Sequence, residues 1–326
     1  MWWITPAAIF VASLQLAACT SNAVWMTSKG SDHELVGQIW DVRAERFVTE
    51  SDLSDDAAMA KFVLLGEKHD NPDHHLLQSK VLAALVERGR RPVVAYEMLT
   101  TDQVPALIAH LEEHPRDASG LGDAVGWEKS GWPAWKHYQP IADVALKAGL
   151  PLTAVSPSRE ISGIIRSEGL KGLDAEVVVR TALDRPLDPE IQNAMEEEVR
   201  EAHCGYLPER AVPSVVRMQR VRDAIMADNW ASASLQANGG VLIAGAGHVR
   251  NDRGVPTVMT RLRPEAQLVS ITFLEVRDDW TMPAAYAELF GAKMLPFDFA
   301  WFTPRLEDTD ACEKFSTDLE RLRNKK

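Results

Sequence analysis

Short apolar runs, each followed by enough chain for a helix, restrict this sequence to few folds. They occupy residues 62–65, 92–98, 241–244 and 268–276, with residues 152–155 as a fifth. Runs of this length that are apolar at successive positions predict strands buried on both faces. Buried strands joined by helices form mainly parallel sheets. We therefore predict an α/β fold, in which helices flank a mainly parallel central sheet.

The segments between these runs have helical periodicity. Apolar residues recur at helical spacing in residues 75–88, 104–111 and 141–148. Between about residue 187 and residue 237 the pattern is wholly helical, with prolines where helix starts tolerate them. This stretch predicts a helical insertion, or subdomain, over the sheet.

The borders of the domain show a change of pattern on each side. Residues 38–49 alternate apolar and polar side chains, which predicts a hairpin at a sheet edge. Residues 307–326 are strongly charged, as expected of a solvated tail. We expect the α/β domain to span residues 37–306.

The first residues have the pattern of an export signal. They carry no charged side chain and place an apolar run just before Leu16-Ala17-Ala18-Cys19. The run is shorter than the roughly 20 apolar residues of a membrane-spanning helix. The four residues resemble the lipobox of bacterial lipoproteins, whose cysteine is lipidated. We predict a signal peptide over residues 1–18 and a lipid-bearing Cys19 with a tether over residues 19–36.

An ordinary signal peptide, or a misassigned start, is the alternative, because the first residues lack the usual Lys or Arg. With the lipobox, the expected location is the cell envelope, anchored to the outer membrane and facing the periplasm. Cys204 and Cys312 would then lie where disulfides form, and either a pair or two separate thiols is open.

Charge excludes one class of partner. The formal net charge is −12, and no basic stripe is visible. Because phosphate backbones are bound by clustered Lys and Arg, a nucleic-acid partner is not expected.

Three of the apolar runs end in side chains that bind metals or transfer protons. VLLGEKH ends in Glu67 and His69, VVAYEM includes Glu97, and VLIAGAGH ends in His248. In open parallel sheets, ligands bind outside the carboxyl ends of the strands. We therefore predict that these four side chains form one polar site, which could hold a divalent metal.

The first strand leads directly into a helix that is rich in histidine at its start. We expect Asp73 to cap this helix, with His74 and His75 in its first turn. A helix N-terminus also favours a nearby anionic group.

Aromatic residues form a second group of candidates. Tyr138 lies in GWEKSGWPAWKHYQP, and His203 and Tyr206 lie between the two helices of the predicted insertion. Dense aromatic residues usually belong to a core or an interface. Imidazole and phenolate are also the groups that hold haem iron, so both interpretations are open here.

Five segments, in order and spacing, resemble the ChaN-type haem-binding lipoproteins. They are GEKHDNPDHHLLQSKVL, the strand ending in YEM, PLTAVSPSRE, HCGYLP followed by MQRVRDAIMA, and GAGHVRNDRGVP. The likeness covers about residues 36–276. It implies an α/β domain with a helical subdomain and a role in haem or iron uptake, with haem or iron transport partners.

The resemblance also implies haem pairs held face to face at a homodimer interface. A tyrosine would bind the iron, and the partner subunit would contribute a histidine. Tyr138 and Tyr206 are the candidate tyrosines, and His203, His74 and His75 are the candidate histidines. Arg253 is a candidate for contact with a haem propionate.

A wider superfamily, which includes Tiki-type metalloproteases and erythromycin-esterase-like hydrolases, has similar strand ends. That resemblance implies a metal-dependent hydrolase or peptidase as the alternative function. Glu67 or Glu97 would act as general base, and His69 and His248 would bind metal or transfer protons.

Overall fold

Residues 25–308, 312–314 and 316 are described by the structure, which is a computed structural model. Within them, eight strands form one sheet in the order β2-β1-β8-β7-β3-β6-β4-β5. Six neighbouring strands, from β8 to β5, are parallel, and the β1–β2 hairpin is antiparallel at one edge. The strands are β1 (Ile39–Asp41), β2 (Arg46–Val48), β3 (Phe62–Glu67), β4 (Val93–Thr100), β5 (Leu152–Ser156), β6 (Gly240–Gly245), β7 (Leu268–Glu275) and β8 (Phe299–Thr303). The predicted α/β class with a mainly parallel sheet is confirmed.

Helices cover both faces of the sheet. They are α1 (Glu50–Met59), α2 (Pro72–Glu87), α3 (Val104–Glu113), α4 (Ala118–Ala124), α5 (Trp135–Lys147), α6 (Arg159–Glu168), α7 (Ala175–Arg180), α8 (Pro189–Ala202), α9 (Val212–Ala233) and α10 (Val255–Leu262). On β3, Val63 and Leu65 pack in the core with α1 to α5. Phe62 and Leu64 point to the opposite core, with α9 and α10. Because successive strand residues face opposite sides, a strand between two cores must be apolar throughout.

One strand was missed from the sequence. β8 pairs in parallel with β7 and antiparallel with β1, so it joins the hairpin to the rest of the sheet. Its sequence, FAWFT, is a buried apolar run like the others. Instead of an α-helix, however, a connection that contains a 3-10 helix (Pro283–Phe290) separates it from β7.

The helical insertion begins earlier than predicted. It starts at α6, directly after β5, where the Ser158 hydroxyl caps the helix by accepting the Ile161 N–H. A small separate core holds the insertion together; it contains Ile165, Leu183, Val221 and Ala224. The end of α9 packs on the sheet instead, so this one helix connects the insertion to the main domain.

The chain from residue 25 to residue 36 packs on the domain, which corrects the predicted tether over this part. The Asp73 carboxylate accepts the backbone N–H groups of Met26 and Thr27 at 2.8 and 2.9 Å. Asp73 is therefore not the helix cap, and Asn71 caps α2 in its place. Leu35 is also buried in the core.

The other predictions for the two ends of the chain concern residues that lie outside the described ones. These are the signal peptide, Cys19 and most of the charged tail. None of the helices in the described part of the chain has the length and apolarity needed to cross a bilayer.

Candidate functional site

The predicted strand-end side chains lie together at the carboxyl edge of the sheet. β6 lies between β3 and β4, and its register pairs Glu67 with Gly245. The Glu97 carboxylate reaches across from β4 and accepts the Gly245 N–H at 2.7 Å. The His69 ring lies between the two carboxylates, with Nδ1 2.8 Å from Glu67 Oε1 and Nε2 3.9 Å from Glu97 Oε2.

Glu67 is buried and surrounded by groups that stabilise its charge. The Tyr138 hydroxyl donates to Glu67 Oε1 at 2.9 Å, and His75 Nδ1 lies 2.8 Å from Glu67 Oε2. Burial by itself favours the neutral acid. The charge of His75 and the hydrogen bond from His69 outweigh it and lower the pKa of Glu67 to about 2. Glu67 is therefore ionised, although it is buried.

Glu97 has a similar environment built from α9. Arg222 Nη2 donates to Glu97 Oε1 at 2.6 Å, and His248 Nε2 lies 3.2 Å from the same oxygen. His248 Nδ1 is 2.5 Å from Asp223 Oδ1. Burial disfavours a charged ring, but Glu97 and Asp223 outweigh it and raise the pKa of His248 to about 9. The connected side chains form what we call the strand-end network: Glu67, His69, Glu97, Arg222, Asp223 and His248.

Arg222 and Asp223 were missed by sequence reasoning. They lie on α9, one helical turn before Met226 and Ala227 and two turns before Trp230, which pack on the sheet. Charged side chains that continue the apolar stripe of a helix face the interior, and this spacing was the available signal.

Glycines at the strand ends make room for the network. A Cβ atom on Gly245 would lie 2.8 Å from His69 Nε2. One on Gly66 would lie 2.3 Å from the Val249 side chain. Because such distances are shorter than van der Waals contact, any larger residue would displace the His69 ring or the turn after β6.

His69 is the most accessible member of the network. Its side chain is 31% exposed, whereas those of Glu67, Glu97, Asp223 and His248 are nearly completely buried. Its ring packs against Trp132, 4.6 Å between centroids. Burial opposes the charged ring, but the hydrogen bond to Glu67 and the charge of Glu97 outweigh burial and raise the pKa of His69 above its usual value. The network thus presents to the outside one imidazole whose protonated form is favoured by its neighbours.

The predicted divalent metal at His69, His248, Glu67 and Glu97 is not supported. No group of three or more His, Cys, Asp or Glu side chains within residues 25–308, 312–314 and 316 is arranged to hold a metal ion. The physical reason is that hydrogen-bond donors already occupy the carboxylates, which bind Arg222, Tyr138 and a backbone N–H.

The two histidines at the start of α2 do not face a ligand. His74 is fully buried, where its Nδ1 accepts the Lys68 N–H at 2.9 Å and its Nε2 lies 3.0 Å from Thr303 Oγ1. Burial and the nearby charge of His75 lower the pKa of His74 to about 3, so it is neutral. His75 is buried against Glu67 and Tyr138. Neither is accessible for the predicted contact with a cofactor.

The two candidate tyrosines differ in how far they are buried. Tyr138 is completely buried, and burial and the Glu67 charge raise the pKa of its hydroxyl far above its usual value. Tyr96 and Tyr286 are also completely buried, whereas Tyr206 is 52% exposed. Of the four tyrosines in the chain, only Tyr206 is accessible to a large ligand.

Tyr206 ends a tight turn after α8, which we call the Tyr206 turn (residues 203–206). Cys204 and Gly205 have φ of +54° and +69°, so the backbone is left-handed here. A disulfide joins Cys204 to Cys312, which resolves the question of their pairing. His203 Nδ1 lies 2.7 Å from the Val199 carbonyl oxygen.

Arg253 lies beneath the insertion and is only 7% exposed. Its guanidinium pairs with Glu198 on α8. It shares a cavity of about 170 Å³ with His203 and Asp223. That volume is below the roughly 300–1,000 Å³ of sites for drug-sized ligands. Arg253 also lines a cleft of about 740 Å³, so its contact with a haem propionate stays a prediction.

Comparison with known families identifies the chain. The model of a family described as "Haem-binding uptake, Tiki superfamily, ChaN" matches residues 53–259. The chain belongs to the ChaN family. The match runs from α1 to α10 and includes both the strand-end network and the Tyr206 turn, so the predicted membership is confirmed.

A solved ChaN structure has the same fold as this chain. ChaN of Campylobacter jejuni, described with cofacial haem binding, is 19% identical, with a TM-score of 0.58 over 81% of this chain and 95% of that one. The type III effector HopBA1 is 14% identical (TM-score 0.40, 77% and 91% covered). An erythromycin esterase mutant in its open conformation is also 14% identical (TM-score 0.38, 87% and 86% covered). No curated protein matches the sequence significantly.

Proposed function

We propose that this ChaN-family protein binds ferric haem during haem or iron uptake, with Tyr206 as the iron ligand. The observation that carries the proposal is the exposure of Tyr206, because the other three tyrosines are completely buried. A phenolate is a hard anionic donor that suits ferric iron, and haem iron is held by tyrosine in some proteins. The donor set of the Tyr206 turn therefore fits haem.

His203 supports the same site. Its Nδ1 lies within hydrogen-bond distance of the Val199 carbonyl, which can only accept, so Nδ1 carries the proton. Nε2 then keeps its lone pair, which is the state of a histidine that binds a metal. Because His74 and His75 are buried, we assign to His203 the histidine that would reach haem across a homodimer interface.

The titration of ferric haem into the purified protein tests this function. We expect a saturable change of the Soret band, accompanied in sedimentation by a shift from monomer to dimer. Saturation without dimer formation would contradict the shared interface. A Soret change no larger than that given by an unrelated acidic protein would contradict haem binding itself.

We also propose export and lipid anchoring through Cys19, with the domain facing the periplasm from the outer membrane. The support is the Leu-Ala-Ala-Cys sequence and the apolar run before it. Labelled palmitate should be incorporated into the wild-type chain and absent from Cys19→Ser. Equal labelling of both chains would contradict the assignment.

Hydrolysis at the strand-end network is the second candidate function, favoured by the exposed edge of His69. Its raised pKa favours the protonated ring, which would act as a general acid from Nε2. Glu67 and Glu97 are buried and hydrogen-bonded, so we assign them to positioning His69 and not to the general-base role. No metal takes part in this proposal.

A panel of simple esters and amides tests the second candidate. Turnover that His69→Gln abolishes, and that His114→Gln on the surface leaves unchanged, would support it. Turnover that both variants retain would contradict it, and so would a panel with no turnover.

A further inference from the structure

A second cavity, of about 220 Å³, lies between α9, α10 and the chain that connects α7 to α8. Four arginines line it, namely Arg185, Arg220, Arg253 and Arg261. It lies beneath the insertion and belongs neither to the exposed edge of His69 nor to the Tyr206 turn. Arg185 and Arg261 are exposed to solvent, whereas Arg220 is partly buried and Arg253 is buried. The charges of the two less accessible guanidinium groups therefore need partners.

The carboxylates that line this cavity are already engaged. Asp223 is paired with His248. Asp252 accepts two hydrogen bonds from Arg250, at 2.9 and 2.7 Å. Neither is left to neutralise the four lining arginines.

The arginines themselves have little compensation. Arg253 pairs with Glu198, whose carboxylate also forms an ion pair with Arg250. Arg220 donates to a neutral group, the Arg185 carbonyl, at 2.8 Å. Among the described residues no carboxylate forms an ion pair with Arg185, Arg220 or Arg261. Burial lowers the pKa of Arg220, as expected of a guanidinium that has lost water without gaining a counterion.

The rest of the lining has two further properties. Apolar side chains form much of the wall, including Leu183, Leu187, Ile191 and Val258. The N-terminus of α10, at Gly254, also faces the cavity, and its backbone carries a partial positive charge. Anion-binding groups and an apolar wall thus occur in the same small space.

We propose that this cavity binds a small organic anion, in which a carboxylate or phosphate ester is joined to an apolar body. The guanidinium groups of Arg220 and Arg261 hold the charged head by paired hydrogen bonds. The apolar wall takes the body of the ligand. This site is separate from the proposed haem site, because it shares no residue with the Tyr206 turn.

Calorimetric titration with phenyl phosphate, benzoate and benzyl alcohol tests the proposal. We expect saturable binding of at least one of the two anions and none of the neutral alcohol, with inorganic phosphate alone binding more weakly. Binding of phenyl phosphate but not of benzoate would identify a phosphate ester as the ligand class. Binding of benzoate but not of phenyl phosphate would identify a carboxylate.

Substitution of the arginines that line the cavity tests whether the anion binds there. Arg261→Gln should weaken binding of the anion about tenfold, the effect expected from one charge-assisted hydrogen bond. Arg116→Gln, an exposed arginine between α3 and α4, is the matched control and should change nothing. Arg220→Gln gives a second, independent reading, with its fold checked by circular dichroism.

Three outcomes would overturn the proposal. They are absence of binding by every anion, equal binding of benzyl alcohol, and equal weakening by Arg116→Gln and Arg261→Gln. A loss of haem binding in Arg261→Gln would overturn the claim that the two sites are separate.

Discussion

The strand-end network and the Tyr206 turn contain similar side chains in opposite environments. In the network, the His248 imidazole and the carboxylates are almost entirely buried, as is the Tyr138 phenol that donates to Glu67, and only His69 and Arg222 are partly exposed. Each of these charges has a partner at hydrogen-bond distance. In the turn, the phenol of Tyr206 is half exposed. Residue type alone therefore does not decide which side chains are accessible to a ligand. The side chains of the first set are mostly buried inside the protein, whereas Tyr206 lies at the surface.

The largest expected effect comes from breaking the charge balance of the network. Glu97→Gln leaves Arg222 and His248 without their carboxylate, and loss of one member of a buried pair costs about 3–5 kcal/mol. Urea denaturation should show a decrease of this size in the free energy of unfolding. Glu113→Gln, on the surface of α3, is the control and should stay within about 0.5 kcal/mol of wild type. Similar stability of both variants would show that the network charges are not coupled.

Alkaline pH should weaken the network by a smaller amount. The pKa of His248 is raised from 6.5 to about 9 in the folded protein. A raised pKa stabilises the fold fully below the unfolded value, and this stability is lost as the pH rises through the folded value. We expect the free energy of unfolding to fall by on the order of 3 kcal/mol between about pH 6 and pH 10. The same pH profile in His248→Gln would contradict this source of the effect.

The smallest expected effect is the difference in stability between variants of the two candidate tyrosines. Tyr138→Phe removes the hydrogen bond to buried Glu67 and should cost about 1–2 kcal/mol. Tyr206→Phe, on the surface, should change the free energy of unfolding by less than about 0.5 kcal/mol. Thermal and urea denaturation of the two variants would measure this. The reverse order would contradict the assignment of Tyr138 to structure and Tyr206 to the surface.

The sequence predicted the network better than the turn, and parallel topology explains why. Glu67, Glu97 and His248 follow apolar runs, and parallel strands deliver their carboxyl ends to one edge. Their convergence therefore needed no knowledge of helix packing. Arg222 and Asp223 were missed because they reach the network from α9, whose rotation about its own axis depends on tertiary packing.

The burial of individual tyrosines and the packing of the chain ends on the domain could not be predicted from local sequence patterns. Tyr138 and Tyr206 both lie beside aromatic or helical segments, and only the packing of α5 against the sheet buries one of them. β8 was missed because no α-helix separates it from β7. Residues 25–36 are polar enough for a tether, but the Asp73 carboxylate holds their backbone on the domain.

The most direct test of the account is ferric haem binding by wild type, Tyr138→Phe and Tyr206→Phe, followed by Soret absorbance at equal protein concentration. We expect wild type and Tyr138→Phe to bind alike and Tyr206→Phe to bind at least about tenfold more weakly, the effect of a lost iron ligand. Haem binding by Tyr206→Phe with wild-type affinity and spectrum would contradict Tyr206 as the ligand and with it the proposed site.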